Sequence, residues 1–299
     1  MKRIKKRFFL FLSLVILVFI LFFNNFRPWP FFNNKLVYSQ LIQKNSNQTQ
    51  GNNNKKEGYQ FSFIITGDNH GKVKIYQKLL NKINKENYAF IVDLGDCVNW
   101  GKEKEYKKVK KNFEKANIPV YHVVGNHDIY GRGGEFWSEY FGQKYYSWDY
   151  QNAHFVVLDN VLDKNNYWSN QLDWLEKDLS SSQKKFKFIF VHAPFLYPQS
   201  LREKAGFDTY KGFRGPVSKK RLQRFFDIVK KYRVNNIYSG HTHIFSEYSV
   251  DDISITTIPS LGGKIYSTYD LLARYFDLRY EYIKIDIYNN YFQQELVGL

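Results

Sequence analysis

Beyond residue 58, short apolar runs alternate with amphipathic segments. Apolar runs that predict strands occur at 61–66, 90–94 and 119–124, and amphipathic runs that predict helices lie between them at 72–84 and 103–116. In the first of these helices the apolar residues fall on one face at helical spacing. This β-α-β-α-β order favours an α/β sheet with right-handed crossovers.

The same alternation continues through the second half of the chain. Further strands are predicted at 154–158, 186–191 and 236–239, and helices near 170–179 and 218–232. The C-terminal part, with runs at 253–258 and 280–292, is rich in predicted strands. We expect these last strands to form a second sheet.

The N-terminus has a different pattern from the rest of the chain. Basic residues precede an uncharged apolar run from Phe8 to Phe23, slightly shorter than the roughly 17–25 residues that span a bilayer. No Ala-x-Ala cleavage site follows, so residues 1–26 are predicted to be an uncleaved signal-anchor or transmembrane helix with a cytoplasmic basic tail. The rest of the chain would then lie on the extracytoplasmic side of the cell membrane. A cleaved signal peptide and a secreted protein are the alternative.

The next residues predict a linker. Within 27–58, the stretch 43–58 contains no apolar residue, and this composition predicts a polar, flexible tether. Residues 59–299 are then left as one domain.

Charge and cysteine usage narrow the picture further. The net charge is +16: residues 1–58 hold ten basic residues and one acidic residue (+9), and residues 59–299 hold 34 and 27 (+7). The excess of basic residues in 59–299 has two interpretations. They form an ordinary solvated surface, or they attract phosphates, nucleic acid or anionic surface polymers. The single cysteine, Cys97, excludes an intrachain disulfide and a thiolate metal cluster, and it is predicted to be a small buried residue.

Histidines and carboxylates are concentrated in a few short clusters. Five of the seven histidines lie in five clusters, most of them directly after a predicted strand. The clusters are Asp68-Asn69-His70, Gly95-Asp96, Gly125-Asn126-His127-Asp128, the isolated His192 and Gly240-His241-Thr242-His243. Because sites in open α/β sheets form at the carboxyl ends of strands, these side chains are expected to converge. Their types indicate two metal ions rather than one, used in phosphate chemistry.

This ordered set of clusters resembles the calcineurin-like metallophosphoesterase superfamily over about residues 60–262. The resemblance implies a four-layer α-β-β-α sandwich of two mixed β-sheets flanked by helices, here preceded by the N-terminal transmembrane helix. It also implies two divalent metal ions, with Mn, Fe, Zn or Ni suited to the mixed ligands. The ions would clamp the phosphoryl oxygens and activate a hydroxide for in-line attack on phosphorus.

The resemblance also implies a role for each clustered side chain. Asp68, His70 and His243 would bind one ion; Asn126, His192 and His241 would bind the other; Asp96 would bridge both; and His127 would face the leaving-group oxygen without binding metal. Asp128 is expected to fix its loop.

One position departs from the family pattern. Many members have Gly-Asp-x-x-Asp, whose last aspartate pairs with the histidine of Gly-Asn-His, whereas this chain has Asn99. A neutral side chain stabilises an imidazolium less than a carboxylate does, so His127 is expected to be a weaker general acid. On this view, Asn99→Asp would raise the pKa of His127.

Two stretches are candidates for contacting substrate, 130–134 with Arg132 and 195–216 with Arg214. The two histidines outside the clusters, His122 and His154, are expected to be structural.

The sequence therefore predicts hydrolysis of phosphoesters, with phosphodiesters slightly preferred over phosphomonoesters. Asn99 and a helical segment at 171–179, similar to phosphodiesterase-like and purple-acid-phosphatase-like branches, favour the diester. A nuclease of the same superfamily is one alternative, and nucleic acid is expected only as a substrate. A catalytically weak surface protein that keeps the fold is the other alternative, although all seven predicted ligands are present.

Overall fold

The computed structural model describes residues 58–161, 167–195, 219–243, 245–250, 253–263 and 280–299. These belong to one compact unit that spans Lys56–Leu299. The predicted anchor at 1–26, nearly all of the predicted linker at 27–58, and Arg214 lie outside the described residues. Inside them, no helix combines the length and the apolar character needed to cross a bilayer.

Strands and helices alternate along most of the described chain. The strands are β1 (Tyr59–Thr66), β2 (Ile91–Asp93), β3 (Val120–His122), β4 (Tyr146–Tyr150), β5 (Ala153–Val157), β6 (Phe186–Phe190), β7 (Asn236–Ser239), β8 (Ser246–Val250), β9 (Ile253–Thr257), β10 (Glu281–Tyr288) and β11 (Phe292–Gly298). The helices are α1 (Val73–Ile83), α2 (Glu103–Phe113), α3 (Gly133–Tyr140), α4 (Tyr167–Ser181) and α5 (Lys219–Lys231). Each predicted helix is present, within a few residues of its predicted bounds.

The strands form two mixed sheets. The first has the order β11-β10-β1-β2-β3, in which β1, β2 and β3 are parallel and β10 is antiparallel to β1. The second has the order β4-β5-β6-β7-β9-β8, in which β5, β6, β7 and β9 are parallel and the two edge strands are antiparallel to their neighbours. Two mixed sheets flanked by helices confirm that part of the predicted fold.

The C-terminal strands do not form a sheet of their own, so that expectation was wrong. β9 lies in the second sheet beside β7, whereas β10 pairs with β1 in the first sheet over six residue pairs, Tyr59↔Tyr288 to Ile65↔Ile283. β1 is buried along most of its length, so its free edge needs a partner strand. The apolar pattern indicates that β10 is a strand, but it carries no information about which edge that strand completes.

Three hydrophobic cores hold the layers together. Alternate residues of each strand point to opposite faces of its sheet. In β1, Phe61, Phe63 and Ile65 therefore pack into a core between the two sheets, while Ile64 packs against α1 and α2. The second sheet presents its other face to the apolar residues of α4 and α5. The order of layers is helix, sheet, sheet, helix.

An ion-paired histidine ties an edge strand to a helix. His154 on β5 is 5% exposed; its Nδ1 lies 2.7 Å from Asp149 Oδ1 on β4, and its Nε2 lies 2.9 Å from Asp178 Oδ2 on α4. Both partners are carboxylate oxygens, so this geometry suits an imidazolium that donates from both nitrogens. Burial acts to lower the pKa of His154, but the bonds to Asp178 and Asp149 outweigh it and raise the pKa above its usual value.

We expect the stabilisation by His154 to depend on pH. A raised pKa in the folded state gives a contribution that is complete below the unfolded pKa of about 6.5 and is lost as the pH rises through the folded pKa. The difference in unfolding free energy between the wild type and His154→Gln should therefore shrink from pH 5.5 to pH 9, as measured by urea unfolding with chelator present. A difference that stays constant over this range would contradict the ion-paired arrangement.

His122 offers a control with the opposite sign. Burial, followed by the charge of Lys110, lowers the pKa of His122 to about 3, so the folded protein keeps this ring neutral. Its contribution is lost as the pH falls below about 6.5, where the unfolded chain binds a proton. The difference in unfolding free energy between the wild type and His122→Gln should therefore decrease toward low pH.

Candidate metal centre

The clustered side chains follow the carboxyl ends of strands from both sheets. Asp68 follows β1, Asp96 follows β2, Asn126 follows β3, His192 follows β6 and His241 follows β7. Parallel strands end at the same edge of a sheet, so these loops meet at one end of the sandwich.

Asp68, His70 and His243 form a first group of possible ligands. His70 Nε2 and His243 Nε2 are 3.2 Å apart, and His243 Nε2 lies 3.4 Å from Asp68 Oδ1. One ligand atom from each of the three residues lies within 4.8 Å of the other two, a spacing that allows the group to hold a metal ion.

Asp96, His192 and His241 form a second group with the same property. His192 Nε2 lies 3.4 Å from Asp96 Oδ2 and 3.2 Å from His241 Nδ1. Asn126 joins this group, because its Oδ1 is 3.0 Å from His192 Nε2. The structure thus brings the three predicted ligands Asn126, His192 and His241 together.

Asp96 lies between the two groups. Its Oδ2 is 3.4 Å from His192 Nε2 in the second group and 3.8 Å from His70 Nε2 in the first. The same oxygen is 4.0 Å from His127 Nε2, and His70, Asp96 and His127 form a third set with ligand spacing. One carboxylate is therefore in reach of both groups, as a bridging ligand must be.

The electrostatics of the cluster fit the binding of cations. Asp68 and Asp96 are 0% and 2% exposed, and no lysine or arginine among the described residues lies within 4.0 Å of either carboxylate. A buried carboxylate is costly unless positive charge lies close to it, so positive charge is needed here. Burial acts to raise the pKa of Asp96, but the nearby imidazoles, His192 foremost, outweigh it and hold the pKa below its usual value.

The buried carboxylates also shift the pKa values of the histidines in the cluster. Burial acts to lower the pKa of His192, but the Asp96 carboxylate outweighs it and raises the pKa to about 10. Burial, with the charge on His192, lowers the pKa of His241 to about 4, so that ring stays neutral and offers a lone pair. Without metal, the cluster therefore draws a proton to the position where divalent ions would supply the positive charge.

The backbone of the cluster is held in an unusual conformation. Five of the clustered residues have positive φ angles between 47° and 68°, namely Asp68, His70, Asp96, His241 and His243. This region is sparsely populated by residues other than glycine, and such residues tend to gather at functional sites. Hydrogen bonds between the loops fix them there, including His70 N to Asp96 O at 2.8 Å and Gly240 N to His192 O at 2.9 Å.

Backbone carbonyls orient two of the imidazoles. His192 Nδ1 lies 2.8 Å from the carbonyl oxygen of Leu94, and His127 Nδ1 lies 2.8 Å from that of Asn99. A carbonyl only accepts, so each Nδ1 carries the hydrogen and each Nε2 faces the cluster. The contact to His127 comes from the main chain of Asn99, and the expectation about the side chain of Asn99 stays a prediction.

Asp128 connects the loops that hold Asp96 and His127. Its buried carboxylate accepts hydrogen bonds from the backbone N–H groups of Asp96, Val98 and Gly125 at 2.8–3.0 Å, and from the Cys97 thiol at 3.1 Å. Burial, with the charge of Asp96, raises the pKa of Asp128 to about 7. The Asp128 carboxylate is therefore engaged with the backbone of these loops.

The structure does not bring Arg132 into the cluster. Its guanidinium is 73% exposed, lies 2.8 Å from Glu135 Oε2 and packs over the ring of Phe136. The helix α3 begins at Gly133, within the stretch 130–134 that was a candidate for contacting substrate. His122 is partly buried and packs between the rings of Phe113 and Phe141, and its structural role stays a prediction.

Sequence reasoning missed residues after β9 that position the first group. Ser260 Oγ donates to the carbonyl oxygen of Asp68 at 2.8 Å, and Gly263 N donates to the same oxygen at 2.8 Å. A side chain at Gly263 would collide with the rings of His243 and His70. The run Ser-Leu-Gly-Gly at 260–263 follows strand β9, just as the other clusters follow strands. Its place after a strand could have identified it as part of the site.

Gly240 tests how tightly the first group is packed. A Cβ at this position would stand 2.5 Å from Asp68 Oδ2, so Gly240→Ala should displace the carboxylate. We expect divalent-metal affinity to fall about 10- to 100-fold, as for other changes to the surroundings of metal ligands, with cooperative unfolding retained. Isothermal titration with Mn²⁺ or Zn²⁺ measures this change. Gly134→Ala is the matched control, because its Cβ meets only Lys144 Nζ, at 3.5 Å; equal affinities in the two variants would refute the packing argument.

Comparison with known families and curated proteins supports the chemistry that this geometry suggests. The family model for calcineurin-like phosphoesterase matches residues 61–245. A protein of Arcobacter nitrofigilis named "Probable glycerophosphodiester phosphodiesterase GpdQ" is 26% identical over 216 residues, which cover 66% of this chain and 73% of that protein. "Glycerophosphodiester phosphodiesterase GpdQ" of Enterobacter lignolyticus is 22% identical over 210 residues, 67% of this chain and 71% of that protein.

Solved structures share the fold at low identity. Purple acid phosphatase PPD1 from yellow lupin superposes with a TM-score of 0.61 at 15% identity, over 81% of this chain and 52% of its own. This chain thus matches about half the length of the lupin enzyme. GAP50, the anchor in the inner membrane complex of Plasmodium, superposes with a TM-score of 0.55 at 16% identity, over 80% of this chain and 85% of its own.

Proposed function

The chain belongs to the calcineurin-like phosphoesterase family, and we propose that it hydrolyses phosphodiesters with the help of two divalent metal ions. Membership confirms the resemblance found in the sequence and supports a phosphoester hydrolase. The observation that carries the proposal is the position of Asp96, whose single carboxylate reaches ligand atoms of both groups.

We assign the two ligand sets from these groups. Asp68, His70 and His243 hold one ion, Asn126, His192 and His241 hold the other, and Asp96 serves both. The mixture of carboxylate, amide and imidazole ligands suits Mn, Fe, Zn or Ni. When bound, two such ions stabilise the charge on the phosphoryl oxygens and lower the pKa of a water nucleophile.

His127 stands beside this centre without belonging to either ligand set. Its Nδ1 is fixed on the Asn99 carbonyl at 2.8 Å, and its Nε2 is 4.0 Å from Asp96 Oδ2. With Nδ1 held by this carbonyl, Nε2 is the ring nitrogen on the side of Asp96. In this position we assign His127 the role of hydrogen-bond or proton donor to the leaving-group oxygen.

Two observations favour diesters over monoesters. The curated relatives carry the name glycerophosphodiester phosphodiesterase, at 26% and 22% identity. In addition, the described part of the centre has no lysine or arginine near its carboxylates, so the second negative charge of a monoester finds no counter-ion there beyond the metals. A singly charged diester suits this charge balance better.

Removing the bridging charge should abolish activity. Asp96→Asn keeps the volume of the side chain but removes the charge that would serve both ions. In the Mn²⁺- or Zn²⁺-loaded domain 59–299 we expect kcat/KM for bis-p-nitrophenyl phosphate to fall on the order of a thousandfold. Wild-type activity on p-nitrophenyl phosphate should be lower than on the diester.

The matched control is Asp173→Asn, because Asp173 is an exposed aspartate on α4 paired with Arg224. Full activity of this variant beside an inactive Asp96→Asn supports the assignment. Absence of hydrolysis by the wild type with any divalent metal would refute the enzymatic function and leave a binding protein with this fold. A strong preference for the monoester would refute only the diester assignment.

His127 and Asn99 should differ sharply in their sensitivity to substitution. His127→Ala removes the proposed donor and should lower kcat about 10²- to 10⁴-fold. Asn99→Ala keeps the backbone carbonyl that holds His127 Nδ1, so it should keep most of kcat and the wild-type pH–rate profile. Steady-state kinetics from pH 5 to pH 10 test both expectations. If Asn99→Ala loses as much activity as His127→Ala, then the side chain of Asn99, rather than its backbone carbonyl, positions His127.

A further inference from the structure

Trp100 is the most exposed large hydrophobic side chain among the described residues, at 57%. It follows directly after the segment that supplies Asp96 and the Asn99 carbonyl. Single exposed apolar side chains are common and need no special role. Trp100, however, lies at the end of a row of rings that begins at the candidate centre.

The row runs from His127 through Tyr130 to Trp100. His127 and Tyr130 have ring centroids 5.0 Å apart in an edge arrangement, and Tyr130 and Trp100 have centroids 6.2 Å apart with planes inclined by 30°. His127 Nε2 is in turn 4.0 Å from Asp96 Oδ2. The two larger rings thus extend from the histidine that we assign to the leaving group.

The backbone beneath Trp100 is fixed. Trp100 N donates to Glu105 Oε2 at 3.1 Å, and Lys102 N donates to the same oxygen at 3.0 Å. Gly101 has φ +61° and packs so closely on the Tyr130 carbonyl that a Cβ there would collide with it. A planar side chain anchored in this way loses little conformational entropy when a ligand stacks on it.

We infer that Trp100 and Tyr130 form the leaving-group side of the substrate site and select phosphoesters whose departing alcohol carries a planar ring, such as an aryl or nucleoside group. This inference rests on the proposed function. Hydrolysis adds water across the P–O bond, the bond to the alcohol breaks, and the alcohol departs with a proton beside His127. A planar group attached to that oxygen then extends toward the two rings, where stacking stabilises it.

The test compares two diesters in the wild type and in Trp100→Ala. Bis-p-nitrophenyl phosphate has an aryl leaving group, and glycerophosphoethanolamine has a small alkyl one; ³¹P NMR follows both with the same metal-loaded protein. For each substrate, kcat/KM of the wild type is divided by kcat/KM of the variant. This ratio cancels the different intrinsic reactivities of the two substrates. We expect Trp100→Ala to lower kcat/KM for the aryl diester roughly tenfold. That loss should be at least about five times greater than the loss for the alkyl diester, and Trp100→Phe should restore most of it.

Tyr291→Ala is the matched control. Tyr291 is 44% exposed and stacks on Tyr288 at 4.4 Å between β10 and β11, so it is also an exposed ring in a stacked pair. Equal losses for both substrates in Trp100→Ala, or no loss in either, would overturn the inference.

A binding measurement separates this inference from the proposed function. Phenylphosphonate and methylphosphonate are not hydrolysed, and isothermal titration gives the ratio of their dissociation constants for the metal-loaded wild type and for Trp100→Ala. A wild-type preference for the phenyl compound that disappears in the variant supports the subsite even if no diester is turned over. If diesters are hydrolysed and the phenyl preference is unchanged in the variant, the subsite is wrong and the proposed function stands.

Discussion

The burial of two carboxylates, Asp68 and Asp96, at the meeting point of two sheets is the constraint on which the rest of the structure depends. Neither carboxylate has a lysine or arginine partner within the described residues, and isolated buried charge is strongly unfavourable. The fold therefore gathers groups that either accept metal ions or take up a proton. The pKa of His192 is raised to about 10 because its imidazolium form supplies positive charge next to Asp96.

The same constraint explains why the loops are held so firmly by the backbone. Placing several ligand atoms within a few ångströms requires residues such as Asp68 and His243 to adopt positive φ angles that side chains disfavour. Compensating hydrogen bonds come from groups that sequence patterns overlook, namely the Asp128 carboxylate, the Ser260 hydroxyl and the carbonyls of Leu94 and Asn99. Sheet edges alone would bring the loops together, but these bonds orient each ligand atom.

The sequence predicted the clustered residues and their convergence because both depend on local information. A strand is visible in its apolar run, and the cluster follows the strand directly, as with Asp68 after β1. The partner of β1 on its other edge was not predictable, because β10 is more than 200 residues away and pairing depends on tertiary packing. The hydrogen bond between His127 and the backbone carbonyl of Asn99 was not predictable for a different reason. Every residue has a backbone carbonyl, so the residue type at position 99 does not indicate whether its carbonyl makes such a bond.

The residue that we propose as proton donor and the ring that we propose for substrate recognition are linked through one short segment of the chain. The carbonyl of Asn99 fixes the tautomer of His127, and the next residue, Trp100, carries the exposed ring that we assign to the leaving group. The hydrogen bond from Trp100 N to Glu105 anchors this segment to the first turn of α2. A shift of the segment would therefore move the proton donor and the stacking surface together. Specificity for the departing alcohol can thus change through the side chain at position 100 alone, while the main chain keeps His127 in register with the metal ligands.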